Sequence, residues 1–325
     1  MDLETFFTTL YVLIDDWYKA EIAPHEDTRC GAKPQMGTSE ILTLGIAGQW
    51  RVGVAWDSER GMIRYLQAYG RGLFPRLLER SAYNRQFRQH YGVFLRLQAW
   101  VATQLNPEVP LYECVDSYPL RACSLSQVLR ESQHWLWESE RGHGGTQGGW
   151  YWGDKWLVSV TPTGYITGWM VGSANLHDRW LLEALLTGRA RHYCLRLHLP
   201  LSFLGTFSAV GNPAACPYLA DRAFNGERWR IHWQQQYQAQ VIAAPPANTR
   251  QAWSPHDQRW LASHRQIIET VFAVLDHVFA LKRLRPHSRW GQSTRLAAIA
   301  AAFNLALFIN TLHQRAPLAL ATLLV

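Results

Sequence analysis

Asp116 closes the stretch LYECVD, Asp221 closes CPYLAD, and Glu269 stands within HRQIIETVFAVLDHVF. Each aspartate ends a short apolar run that fits a mostly buried strand, with Pro119 soon stopping the first of them. A carboxylate at the lip of such a strand is costly unless it is hydrogen-bonded, ion-paired or holding a metal. If the two strands are parallel neighbours, both carboxylates emerge at one sheet edge, where α/β sites lie. Around Glu269, the residues Ile267, Ile268, Val271, Val274, Leu275 and Val278 outline an apolar helix face. A glutamate in the middle of that face is a local inconsistency of the kind function imposes; the alternative is an Arg265–Glu269 pair on a solvated edge. Three hard oxygen ligands on two strand ends and a helix suit Mg²⁺ or Mn²⁺. Two such ions, roughly 3.5–4 Å apart, activate the attacking oxygen and stabilise the leaving one in phosphodiester chemistry. Lys155, Arg222 and Arg265, with Lys282, Arg283, Arg285 and Arg289 further on, are then placed to hold a DNA backbone.

The elements that must position these groups form a mixed α/β order. Residues 1–105 read as helical, with three- and four-residue apolar spacing over 4–20, 38–52, 58–69 and 81–104 and an N-cap at Thr38 or Ser39. The last of these carries an aromatic stripe (Tyr83, Phe87, Tyr91, Phe94) among Arg80, Arg85, Arg88 and Arg96, which suits either a core-facing stripe or a nucleic-acid-facing helix. Near Asn106-Pro107 the pattern changes, marking a boundary between residues 1–105 and 106–315. A strand over 111–116 leads to a loop or short helix through the glycine-rich 142–149, which lacks phosphate-loop spacing and reads as linker. WYWGDKWLVSV (150–160) and GYITGWMVG (164–172) read as a hairpin. A helix over 177–191, a strand ending at Asp221, a helix near 225–236, a strand over 237–244 and a long helix over 254–284 follow.

Composition narrows the partners. The chain has 325 residues, 48% of them hydrophobic, 16 of them tryptophan, and a net charge of +7. The last third carries twelve basic residues against five acidic ones, eleven of the twelve being arginine. Guanidinium forks match phosphate, so a polyanion is the implied partner. Five scattered cysteines without a C-x-x-C pair speak against a disulfide framework or structural zinc and for a reduced cytoplasm. The N-terminus MDLETFF lacks the basic start of a secretory signal. Leu296–Leu312 is apolar but interrupted by Asn304, Asn310 and Thr311, which reads as a buried helix packed on a sheet rather than a membrane span. The His177-Asp178 pair reads as a helix start, its aspartate near the positive end of the dipole. Cys114 and Cys123, beside Asp116, read as buried thiols.

The ordered set VDSYPL, WGDKWLV with its T-P-x-G turn, SANLHD, ADRAF and RQIIET resembles the DDE transposases of bacterial insertion sequences over about residues 80–312. The acids lie 105 and then 48 residues apart. The resemblance implies a ribonuclease H-like mixed sheet flanked by helices and preceded by an all-helical N-terminal domain. It implies Asp116, Asp221 and Glu269 as catalytic metal ligands, Mg²⁺ or Mn²⁺ as a pair of ions, and double-stranded DNA (element ends and target) as partner. A homodimer on DNA follows from the need to hold two ends together, and the setting implied is bacterial, cytoplasmic and nucleoid-associated. Two departures stand out: Asp221-Arg222-Ala223-Phe224 replaces D-x-G-Y, and Ala262 and Asp276 occupy the tyrosine and lysine positions of Y-x2-R-x3-E-x6-K. Lys282 or Arg283 is the candidate substitute for that lysine. The competing readings are a structure-specific nuclease that never joins strands, and a domesticated, non-catalytic DNA-binding module.

Overall fold

The computed structural model describes residues 1–25, 34–105, 109–123, 139–143, 149–195, 207–209, 211–245, 253–284 and 288–324. Helices α1 (Leu3–Glu21), α2 (Thr38–Ala47), α3 (Glu59–Tyr69), α4 (Arg80–Gln89) and α5 (Tyr91–Leu105) come first. Strands β1 (Glu113–Cys123), β2 (Glu140–His143), β3 (Trp150–Val160) and β4 (Ile166–Ser173) lead to α6 (Asp178–Leu195). Then follow β5 (Phe207–Ala209), β6 (Tyr218–Ala220), α7 (Glu227–Tyr237), β7 (Val241–Ala243), α8 (Pro255–Phe279) and α9 (Arg289–Leu312).

Local chemistry explains the helix starts. Asp2 caps α1 by accepting from the Thr5 N–H at 2.8 Å, and Ser58 caps α3 through Gly61. At α2 the cap is Gly37 rather than Thr38 or Ser39, because the Glu40 carboxylate reaches back to the Gly37 N–H at 2.6 Å. The helix expected over 81–104 is two helices that meet at His90.

The described strands form one mixed sheet in the order β5-β4-β3-β1-β6-β7, with β2 also paired to β3. β3 runs antiparallel to β1 and β4, whereas β6 is parallel to both β1 and β7. A mixed α/β sheet with flanking helices, following an all-helical stretch, is the fold class the resemblance implied. Three local expectations are corrected. β1 does not stop before Pro119 but continues through it to Cys123, pairing Pro119 with Lys155 of β3. The β6 neighbour pairs only with Glu113–Val115, so among the described residues that side of β1 has no ladder beyond Val115 for the missing proline N–H to interrupt. The start of the glycine-rich segment is strand, since Glu140–His143 pairs with β3, while its centre, 144–148, lies outside the described residues. The C-terminal strand is shorter than 237–244, spanning Val241–Ala243.

Side-chain alternation assigns the two sheet faces. Val115 and Leu157 join Leu181, Leu182, Leu185 and Leu186 of α6, with Phe224, Trp233 and Val241, in one buried cluster. Cys114, Asp116 and Tyr118 face the other way, toward α8: the Cys114 thiol donates to the His264 carbonyl at 3.4 Å, and the Tyr118 ring lies 5.1 Å from that of Phe272. Backbones approach closely where β3 meets β1. A Cβ on Gly153 would stand 2.1 Å from the Leu120 carbonyl oxygen, which no side-chain rotation relieves. Gly153→Ala is therefore expected to cost about 1–3 kcal/mol through a forced backbone shift, read as a lower urea midpoint with an unchanged slope.

By contacts the chain divides into two compact units. One comprises Met1–Gln98, His277–Ala280 and Ser293–Val325, with a core in which the Trp50 ring meets Phe6 and Phe279, each at 4.9 Å. The other, Ala99–Asp276 with Leu281–Gln292, holds the sheet. Helix α9 is long and apolar enough to cross a membrane by composition, yet 78% of its apolar window is buried inside the protein. That burial fits a core helix; the correction is that its apolar part groups with the N-terminal helices and not with the sheet.

Candidate active site

Parallel pairing of β1 with β6 aligns Val115 with Ala220, so the next residues along each strand are Asp116 and Asp221. Asp116 belongs to β1 itself, its side chain 24% exposed, and Asp221 caps the short turn Arg222–Phe224, accepting from the Ala223 N–H at 2.8 Å. Their carboxylates feel one another. Burial pushes the Asp116 carboxyl up to about 7, with the Arg265 guanidinium opposing the rise and the Asp221 and Asp178 charges adding to it. Burial also raises Asp221, again against Arg265 and with Asp178 contributing. Two half-buried acids thus share one cation.

That cation is Arg265 of α8. Its Nη2 donates to Asp116 Oδ2 at 2.9 Å, while its Nε is buried without a partner among the described residues. An acceptor for that N–H, such as a phosphate oxygen, is what the geometry leaves open. Glu269 follows one helical turn later and is exposed. The buried face of α8 runs through Leu261, Ile268, Val271, Leu275 and Val278, so Glu269 borders the apolar face rather than standing in its middle.

The remaining basic candidates divide sharply. Lys155 on β3 donates to the Leu176 carbonyl at 3.0 Å and to Asp178 Oδ1 at 3.1 Å. Lys282 pairs with Asp276 at 2.7 Å, and Asp276 also accepts from the Tyr118 hydroxyl at 2.6 Å. The acid in the motif's lysine position is thereby bound to the one lysine nearby in sequence. Arg222 and Arg283 are exposed. Arg289 donates to the buried Asp154 at 2.6 Å, a carboxylate also bonded to Gln292 at 3.1 Å, which ties the start of α9 to β3. Arg285 lies outside the described residues.

Asp178 is the charged neighbour of the two aspartates that sequence reasoning passed over. It begins α6, as expected of a helix-start acid, but its charge also reaches both Asp116 and Asp221. The sequence signal was its place in SANLHD, one of the motifs carrying the resemblance. Cys114 is a buried thiol pushed up to about 12 by that burial, which leaves it protonated and unreactive.

Among the described residues, no three His, Cys, Asp or Glu side chains stand close enough to hold one metal ion. The pair Asp116 and Asp221 nevertheless fits a small hard dication. Such an ion takes one or two carboxylates, completes its shell with water and phosphate oxygens, and offsets the repulsion of two crowded, partly desolvated acids.

Residues 114–305 match the family described as Transposase DDE domain. A solved structure, the Mos1 transposase paired-end complex with left transposon end, aligns with 87% of this chain and 84% of its own at 12% identity, with a TM-score of 0.22. No curated protein matches the chain. The family match runs from β1 into α9, takes in Asp116, Asp221 and Glu269, and spans more than half of the sequence: the chain belongs to the family of transposase DDE domains.

Proposed function

We propose that this chain is a divalent-metal-dependent DNA transposase that cuts element ends and joins the freed 3′-hydroxyl to target DNA. The observation that carries the reading is the convergence of Asp116 and Asp221 at neighbouring parallel strands with Arg265 as their shared counter-ion, in a chain of this family. Asp116 and Asp221 would hold the Mg²⁺ or Mn²⁺, and Glu269 would complete the acidic set from α8. Bound there, a pair of divalent ions would supply Lewis-acid polarisation of the phosphodiester and a nucleophilic oxygen at neutral pH. Arg265, bonded to Asp116 through one Nη and with its Nε uncommitted, would offer its guanidinium to the scissile strand's phosphate. Lys155 keeps Asp178 neutralised beside the acids. Exposed Arg222 and Arg283 line the backbone path of the duplex, and the N-terminal helices, residues 1–105, serve end recognition or assembly of two copies on DNA. A chain of this kind works at the nucleoid of a bacterial cytoplasm.

The test is incubation of the full chain with a pre-cut element end and a target duplex in Mg²⁺ or Mn²⁺. Joined products support the transposase, and hydrolysis without joining points to a nuclease on the same fold. Salt-sensitive binding with no strand breakage in either metal overturns the catalytic reading. Glu269→Gln isolates the third acid. Because Glu269 is exposed, the change leaves stability within about 0.5 kcal/mol. Cleavage should nonetheless fall at least about 100-fold, which a single-turnover assay on wild-type and variant protein of matched melting temperature checks.

A further inference from the structure

In the helical unit, a cavity of ≈ 20 Å³ opens between the end of α2 and helices α3, α4 and α9, lined among others by Arg51, Glu59, Tyr83 and Arg295. Room of that size takes one or two oxygen-sized groups and no more. Three features describe what it would bind. Arg51 is held in place, its Nη1 donating to the Gly48 carbonyl at 2.6 Å and its backbone N–H to Val278 at 2.8 Å. Arg295 makes no hydrogen bond or ion pair among the described residues, although its charge reaches both Arg51 and Tyr83. Tyr83 is 2% exposed, and its hydroxyl has no partner among the described residues.

We propose that Arg51, Arg295 and the Tyr83 hydroxyl form an oxyanion subsite that receives a non-bridging oxygen of a DNA backbone phosphate. The two guanidiniums disfavour one another: burial, and after it the Arg295 charge, bring Arg51 down to about 10. Burial pushes the Tyr83 phenol up, so its O–H remains a donor at neutral pH. Glu59 faces the same cavity and its charge reaches Tyr83, but it is engaged by Asn84 at 2.8 Å and forms no ion pair with either arginine, and Asp57, the acid felt by Arg51, is exposed to solvent. A water would satisfy the phenol; only an anion also offsets the paired guanidinium charges. The DNA source of the phosphate rests on the transposase reading, whereas the oxyanion chemistry does not.

The experiment uses the full chain as wild type, Arg295→Gln, Arg295→Lys and Tyr83→Phe. One arm follows binding to a 20-bp duplex of arbitrary sequence, about two helical turns, across a salt series. The slope of log K against log salt should fall in magnitude by about 0.9 in Arg295→Gln, one phosphate contact, and be retained in Arg295→Lys. The other arm compares melting in sodium phosphate and sodium chloride of equal ionic strength. Phosphate should raise the wild-type melting temperature and lose that effect in Arg295→Gln and Tyr83→Phe. Tyr83→Phe removes a hydroxyl with no protein partner, so it should melt like wild type in chloride and serves as the informative variant if Arg295→Gln fails to fold. A lower slope, with or without the phosphate effect, supports a backbone-phosphate site. A phosphate effect with an unchanged slope overturns the DNA assignment and leaves a site for a free oxyanion. An unchanged slope together with no phosphate effect overturns the proposal. Since neither arm measures strand breakage, failure here is separable from failure of the catalytic reading.

Discussion

Asp116→Asn is expected to abolish both cleavage and joining, by at least about 10³-fold, while leaving the metal-free protein at least as stable as wild type at pH 8. Asparagine keeps the shape of aspartate and can still accept from Arg265 Nη2. It loses the charge and one of the two hard oxygens a divalent ion needs. The stability half of the prediction follows from linkage. Burial raises the Asp116 carboxyl from the usual carboxylate range to about 7, so the folded state binds a proton more tightly than the unfolded chain. The stability contributed by this group is present at low pH and is lost as pH rises through the window from about 4 to about 7. Asparagine carries no such dependence. Thermal melts in EDTA should therefore put the variant at or above wild type at pH 8, with the gap closing as pH falls toward 4. A variant that melts well below wild type at pH 8 would show that Asp116 and Arg265 form a structural ion pair and not a strained metal ligand.

The second large effect lies behind the site, where Arg189 of α6 is 1% exposed. Its Nη1 donates to Glu113 Oε2 at 2.6 Å and to the Tyr218 hydroxyl at 2.8 Å, and its Nη2 to Thr167 at 2.8 Å. Ser159 donates a short 2.5 Å hydrogen bond to the same Glu113 oxygen. This network links α6 to β4 and to β1 and β6, the strands that carry Asp116 and lead into Asp221. Removing the guanidinium strands a buried carboxylate, so Arg189→Ala should destabilise the fold by about 3–5 kcal/mol. Urea unfolding gives the measurement. The double variant Arg189→Met with Glu113→Gln should recover a large part of that loss, because a buried pair replaced by neutral groups of similar volume is far less costly than a buried pair broken on one side. If Arg189→Ala costs less than about 1 kcal/mol, the network is solvated and does not brace the strands.

Much of the frame is legible in the residue pattern. Three- and four-residue spacing locates α1, α3 and α8, and the alternation around T-P-T-G locates the β3–β4 hairpin. These are local properties, decided by which face of an element meets the core. Where expectations failed, the cause was a neighbour elsewhere in the chain. Pro119 stops a strand only if its nitrogen faces a ladder, and among the described residues the shortness of β6 leaves it none. Glu140–His143 carries little strand propensity of its own, and β3 offers it an edge. Glu269 looked embedded in an apolar face because Ile267 and Val274 were counted in it, yet both are only half-buried.

For the site, the sequence by itself determined the chemical inventory and its order: two strand-end aspartates, a helix-borne glutamate one turn after an arginine, and a surplus of arginine in the last third. Only the tertiary structure decided how those groups are used. It set Arg265 against Asp116 across 149 residues of chain and brought the charge of Asp178 to both acids. It placed Lys282 beside Asp276 and Arg289 beside the buried Asp154, so two residues that read as DNA contacts also pair with acids of their own chain. The physical reason is the reach of the interactions. Helix and strand formation answer to neighbours a few residues away, whereas the pairing and protonation of a charged side chain depend on which charges, and how little water, the packed sheet and helices place around it.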